Sequence, residues 1–213
     1  QKLLNTIGDA SIRAIFLTHH HGDHCAKVRE AADHFRVPIM LSTFTRDILE
    51  RKRGADFFGD RELIILQEGD QVGSWLGHKL NVYQVPGHDE GQLALAPETL
   101  QWFLASDLFQ GVGTVVIGPE EGNMSKYFQT LSKVIALDPN VLYPSHGIGL
   151  GGTEILKRTL KHREFREQQV LELHQKGVSV DEMVKKIYFD LPEKILPYAK
   201  ANIESHLKKL QEE

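Results

Sequence analysis

The sequence contains one cysteine, Cys25, among 213 residues. An internal disulfide is therefore impossible, and a scaffold held by bridges is excluded. No apolar run approaches the roughly 20 residues that cross a bilayer as a helix. No membrane partner is expected. Gln1 to Ala10 shows no signal-peptide pattern, and with the lone thiol this suits a reducing, cytoplasmic location. Charge of one sign is not in excess either. Lys and Arg number 25 against 29 Asp and Glu, a net of −4, so the whole chain offers no argument for nucleic acid. Internal repeats and low-complexity segments are also missing.

What is present divides unevenly. Residues 155–213 carry 12 basic and 10 acidic side chains, a net of +2, which leaves −6 for residues 1–154. Residues 1–153 alternate short apolar runs with Gly- and Pro-rich turns. Strands are expected at Ile12–Leu17, Pro38–Leu41, Leu63–Leu66, Lys79–Val85, Leu93–Ala96, Trp102–Ala105 and Val141–Tyr143, where apolar residues cluster between turn signals. Helices are expected at about His24–Phe35, Thr45–Arg53 and Ser125–Leu137, from apolar spacing of three and four. This mixture is α/β layered. After Gly151-Gly152 the pattern becomes helical throughout. The first tail helix runs from about Thr153 to Lys176. The second starts at Ser179, with Glu182 completing a capping box. The third spans about Pro192 to Leu210. A domain boundary is expected near residue 153, giving a catalytic domain over 1–153 and a helical domain over 154–213.

The chemistry concentrates in Thr18-His19-His20-His21-Gly22-Asp23-His24. His19, His21, Asp23 and His24 are imidazole and carboxylate ligands of borderline and hard divalent metals. Four ligands in six residues cannot all face one metal from a regular strand or helix. They can serve two adjacent metals if the chain turns tightly, which Gly22 would permit. Three more ligand-type residues follow strands: His88 in Pro86-Gly87-His88, Asp107 in Ser106-Asp107, and His146 in Ser145-His146-Gly147. Strand ends in one sheet lie close in space, which is how layered folds assemble sites. A lone histidine is more often a surface or satisfied core residue, and a lone aspartate after a strand is more often a turn former. The run at 19–24 outweighs that reading, because clustered histidines repel when charged, and it carries the other three with it. His20 and His34 keep the bland reading, with His20 pointing away from its neighbours. Cys25 reads as a small buried residue.

His19-x-His21-x-Asp23-His24, Pro86-Gly87-His88, Ser106-Asp107 and Ser145-His146-Gly147, in this order, resemble the metallo-β-lactamase superfamily. Gly111–Thr114, His162–Gln169 and Ala201–Leu210 resemble, within it, the β-lactamase-like protein 2 (endoribonuclease) group. The resemblance implies an αββα sandwich followed by a small winged-helix-like domain. It implies that His19, His21 and His88 hold one metal, that Asp23, His24 and His146 hold the second, and that Asp107 bridges both. Asp23, Asp107 and His146 are then the catalytic residues, acting as ligands rather than as general bases. Two divalent metal ions are expected. Zinc suits five imidazoles and two carboxylates, and manganese or iron also fit. A metal-bridging hydroxide would attack the substrate.

The implied function is metal-dependent hydrolysis of phosphodiester bonds in single-stranded RNA. The alternatives are thioester hydrolysis of the glyoxalase II type, and a non-catalytic nucleic-acid-binding protein. Members of the family usually carry a further stretch of sheet before the first histidine motif, so the leading strands of the first sheet are expected to be missing. An exposed edge beside Ile12–Leu17 would favour a homodimer. In the tail, Ile155, Leu156 and Leu160 should face the catalytic domain. Val170, Leu171, Val180, Met183, Ile187, Ile203 and Leu207 should form its core. Lys157, Arg158, Lys161, Arg163 and Arg166 form a cationic series suited to phosphate, which Glu164 and Glu167 could also pair with.

Overall fold

The structure, a computed structural model, describes residues 11–111 and 113–212. The expectations for Gln1–Ala10 and for Val112 lie outside these residues. So does the question of what lies beyond the edge at Ile12–Leu17, and with it the basis for a dimer. The chain forms two compact units, one ending at Leu66 and one beginning at Gln67.

The first unit holds a three-stranded sheet in the order β1 (Ile15–Phe16), β2 (Ile39–Leu41), β3 (Leu63–Ile65), parallel throughout. Parallel neighbours need crossover connections. These contain α1 (Gly22–Cys25), α2 (Val28–Phe35) and α3 (Thr43–Arg53). The single helix expected over His24–Phe35 is broken at Ala26 and Lys27. Ser42 caps α3 by accepting from the Thr45 amide at 3.1 Å, the role its hydroxyl is suited to. Leu17, Cys25, Val28, Ala32, Ile39, Leu41, Leu49 and Phe58 form the core.

The second unit holds a six-stranded mixed sheet: β4 (Gln71–Trp75), β5 (His78–Gln84), β6 (Leu93–Pro97), β7 (Phe103–Ser106), β8 (Val141–Pro144) and β9 (Leu150–Gly151), in sequence order. Neighbours are antiparallel except β7 and β8, which run parallel. Their crossover carries α4 (Met124–Leu137), capped by Asn123 through the Lys126 amide. Strands β4 and β9 were not expected. The first contains Gly73 at a register shift, and the second has only two residues. Tyr127, Leu131 and Val134 of α4 pack with Val85, just past β5, and with Phe103 and Leu142 of the sheet.

The tail belongs to the same unit. It comprises α5 (Glu154–Gln175), α6 (Val180–Ile187), a 3-10 turn (Glu193–Ile195) and α7 (Leu196–Glu212). The boundary expected near residue 153 falls between β9 and α5. Leu156 is buried in the sheet-side core, with Ile155 and Leu160 packed against it, as expected. The capping box of Ser179 and Glu182 is present. Val170, Met183, Val184, Ile187, Ala199 and Ile203 form a separate tail core, with Val180 and Leu207 against it. Leu171 was expected there and is not part of it, because Val170 takes the inward position on α5. Among the described residues, no helix is long and apolar enough to cross a membrane.

Candidate metal centre

In the first unit, the chain leaving β1 delivers the histidine run. The Leu17 amide donates to the Met40 carbonyl at 2.8 Å, and Leu17 is buried. The chain then enters α1 with His21 at its N-cap. His19 is fully buried. Its Nε2 lies 3.0 Å from His21 Nδ1, and its ring centroid lies 4.0 Å from that of His24. Thr18 Oγ1 sits 3.2 Å from His19 Nδ1 and 3.4 Å from His24 Nδ1. Asp23 Oδ2 is 3.6 Å from His24 Nε2. Two ring nitrogens at 3.0 Å either share one proton-donating bond or turn both lone pairs toward a common cation. His20, expected to point away from its neighbours, is buried. Lys52 Nζ donates toward its Nε2 at 3.2 Å, yet its ring still touches His21. Gly22 does not use glycine's freedom. Its φ is not left-handed, and an added Cβ would meet nothing within 4 Å. The turn is made by α1 instead.

In the second unit, His88, Asp107 and His146 converge from the ends of β5, β7 and β8. Asp107 Oδ2 lies 3.6 Å from His88 Nε2 and 3.5 Å from His146 Nε2. These distances are at or beyond the limit for hydrogen bonds, yet they suit donors grouped around a cation. Gly87 brings His88 into place. Its φ is 134°, and an added Cβ would fall 2.4 Å from the Tyr127 Cα. The β7 strand ends in a register shift, with Ser106 left-handed at φ 52°. Asp107 follows it and is 6% exposed. The Ser145 amide donates to the Ser106 carbonyl at 3.0 Å, and the Gly111 amide donates to the His146 carbonyl at 3.1 Å. His146 itself is half exposed.

One layer of support was not legible in the sequence. His88 Nδ1 lies 2.7 Å from the Val116 carbonyl oxygen. A carbonyl only accepts, so Nδ1 carries the proton and Nε2 offers its lone pair. The segment around Val116 is held by the tail. Arg163 on α5 donates to the Val115 carbonyl. Asn202 Oδ1 on α7 accepts from the Ile117 amide and from Arg163 Nη1, both at 3.0 Å. Ser205 Oγ donates to the Ile117 carbonyl at 2.6 Å. Arg163 is 1% exposed and stacks over Tyr127 at 5.6 Å. It is therefore a structural cation, not the phosphate contact its place in the series suggested. Tyr127 donates to the Leu108 carbonyl at 2.7 Å, next to Asp107. Burial pushes its pKa up to about 12, so the hydroxyl stays a donor. Asp89 was also passed over. It is fully buried, and its Oδ1 accepts from the Gly91 amide at 2.7 Å. Asn202 and Ser205 lie in the stretch that carried the subgroup resemblance, but nothing in their spacing indicated what they hold.

The donor set fits divalent metals: neutral imidazole nitrogens and carboxylate oxygens, without thiolate. Residues 3–146 match the family described as the Metallo-beta-lactamase superfamily. Residues 179–213 match the Beta-lactamase associated winged helix domain. The chain belongs to the metallo-beta-lactamase superfamily, a class mostly of metal-dependent hydrolases, and is of that hydrolase class. Members bind divalent metals, often two. The chain is 28% identical over 218 residues to the beta-lactamase-like protein 2 homolog of Drosophila melanogaster, covering 96% of this chain and 70% of the relative. It is 30% identical over 155 residues to the hydroxyacylglutathione hydrolase of Citrobacter koseri, covering 71% of this chain and 55% of that enzyme. A solved metallo-beta-lactamase family protein from Thermus thermophilus shares the fold. Its TM-score is 0.77 at 18% identity, covering 99% of this chain and 79% of that one. The fold is thus the metallo-β-lactamase fold with a C-terminal winged-helix domain.

Proposed function

We propose that this chain cleaves phosphodiester bonds of single-stranded RNA, using two divalent metals, zinc in the first place. His19, His21 and His88 would hold one metal. Asp23, His24 and His146 would hold the other, with Asp107 shared. Residues 1–153 would carry the chemistry and 154–213 would help choose the substrate, in the cytoplasm. The observation that carries the metal reading is the meeting of Asp107 Oδ2 with His88 Nε2 and His146 Nε2 at 3.5–3.6 Å. The RNA reading rests on the likeness to a beta-lactamase-like protein 2 homolog over 96% of the chain and on the resemblance of the chain's motifs to the β-lactamase-like protein 2 (endoribonuclease) group.

When bound, the metals supply Lewis acidity and make water nucleophilic at neutral pH. The chain's own residues do the positioning. The Val116 carbonyl fixes the His88 tautomer so that Nε2 remains a ligand. The half-exposed His146 leaves one side of the group open to substrate. No serine or cysteine nucleophile is required. Thioester hydrolysis remains a second reading, favoured by the match to a hydroxyacylglutathione hydrolase. The same ligands suit several scissile bonds, since family alone does not select one. Single-stranded RNA, S-lactoylglutathione and nitrocefin, each assayed with and without chelator, test these readings. Chelator-sensitive RNA cleavage is expected. Turnover of the thioester alone would replace the RNA reading, and RNA binding without any turnover would favour a binding protein.

A further inference from the structure

A cavity of about 730 Å³ lies within the second unit, between the segment Gly113–Val116 and the tail helices. This is within the roughly 300–1,000 Å³ of pockets that take small ligands. One wall is α5, where Arg158, His162 and Arg166 recur every fourth residue and so share a face. All three line the cavity, as do Tyr188 and Tyr198. Burial first, then Arg166 and Arg163, holds the His162 pKa below the usual imidazole value, as expected where positive charge gathers. Arg166 stacks over Tyr188 at 5.0 Å. Its Nη1 donates to Gln169 at 2.7 Å, while its Nε is buried with no hydrogen-bond partner among the described residues. Arg158 makes an exposed pair with Glu154 at 3.3 Å, a contact weak enough to exchange for another anion. Tyr198 is 56% exposed, with its ring available for stacking. Asp190 also lines the cavity and would repel an anion placed on its side, which favours the α5 wall for phosphate.

We propose that this cavity is a nucleotide subsite, in which Arg158, His162 and Arg166 hold a phosphate of the RNA strand and Tyr198 stacks on a base. The inference rests on the RNA reading above and adds the place where the strand is gripped. The grip would act through α5 and α7, whose Arg163, Asn202 and Ser205 also clamp Val115–Ile117 beside His88. A strand seated here would therefore touch the element that orients a metal ligand.

The test uses the zinc-reconstituted chain and three variants: Arg158→Glu, Arg158→Gln with Arg166→Gln, and Tyr198→Ala. Arg158 and Tyr198 are exposed, so folding is not at risk there, and circular dichroism checks the double variant. Affinity for a short uridine oligonucleotide and for uridine monophosphate is measured across salt concentrations. Turnover of bis(p-nitrophenyl) phosphate, which carries no base and no second nucleotide, serves as the control. The double variant should lose about 0.7 from the slope of log affinity against log salt, since one neutralised phosphate on a single strand contributes about 0.7. Tyr198→Ala should weaken the oligonucleotide at least about fivefold. Small-substrate turnover should be unchanged in all three. If the parent cleaves RNA and all variants match it in affinity and salt slope, the subsite is overturned and the RNA reading stands. If the parent turns over the small substrate but neither binds nor cleaves RNA, the RNA reading fails and the subsite with it. Equal affinity for the monophosphate and the oligonucleotide overturns the strand assignment in favour of a free nucleotide.

Discussion

His88 donates through Nδ1 to the carbonyl oxygen of Val116 at 2.7 Å, so a metal-ligand candidate takes its orientation from a loop 28 residues away. That loop is held in turn by Arg163, Asn202 and Ser205. Outer partners of ligating histidines set both tautomer and affinity.

Asn202→Ala removes the acceptor shared by Ile117 and Arg163. Zinc affinity should fall about 10–100-fold, the usual cost of losing support behind a ligand, as read by competition with a chromogenic chelator. Arg163→Met should also destabilise the fold by about 2–4 kcal/mol in urea unfolding, because a buried charge network is broken. Zinc affinity equal to the parent in both variants would show that the clamp does not reach the ligand.

Asp107→Ala should abolish activity and lower bound metal to one per chain or fewer, since Asp107 stands between two ligand candidates. His20→Ala should keep most of both, because His20 turns toward Lys52. Elemental analysis and the RNA assay read the two variants side by side. Equal losses would remove Asp107 from its shared position.

Gly87→Ala should cost more than about 3 kcal/mol or prevent folding. Its φ is 134°, and the new Cβ would lie within 2.6 Å of three Tyr127 atoms, two of them backbone. Gly22→Ala is the contrast. It meets open space in a helical turn and should raise stability by about 0.5–1 kcal/mol. Thermal melts of the two variants decide between them.

Stability should fall on acidification in two stages at the buried cluster of His206, Glu167 and Lys209. Burial holds the His206 pKa below its usual value, against the pull of Glu167. Below the unfolded imidazole pKa of about 6.5, the unfolded state binds a proton that the folded state refuses, so stability drops there. Burial pushes Glu167 up, but the hydrogen bonds from His206 and Lys209 win and hold it below its usual value. Its contribution is present above the unfolded carboxyl pKa and is lost as pH falls through the lower folded value. His206→Gln should flatten the first stage and shrink the second to what the Lys209 contact supports, measured as melting temperature against pH. An unchanged first stage would assign it to other histidines.

Seven of the nine strands, the three tail helices and the capping box at Ser179 were legible because each rests on a local pattern. Strand residues cluster between turns, helical residues recur at three and four, and a cap needs its partner three positions on. The candidate ligands were legible because histidine and aspartate in a tight run have few structural uses together. Strand β4, interrupted by Gly73, and the two-residue β9 escaped because neither gives a period long enough to read. Arg163 differs from its sequence reading for another reason. In sequence it continues a cationic series with Arg158 and Arg166, and only packing against Tyr127 and Asn202 separates a buried cation from its exposed neighbours.

Residue type and spacing determined the kinds of strand and helix and which side chains could bind metal, and the family was legible through the resemblance of those motifs to a known one. Tertiary structure decided which nitrogen of His88 turns toward Asp107, how Ser106 aims Asp107, and which elements hold them there. Those decisions run through hydrogen bonds joining Arg163 to Val115 across 48 residues and Ser205 to Ile117 across 88. A local period ends within one helix or strand, so contacts over such separations leave no periodic trace in the chain and are set only when the packed core brings the partners together.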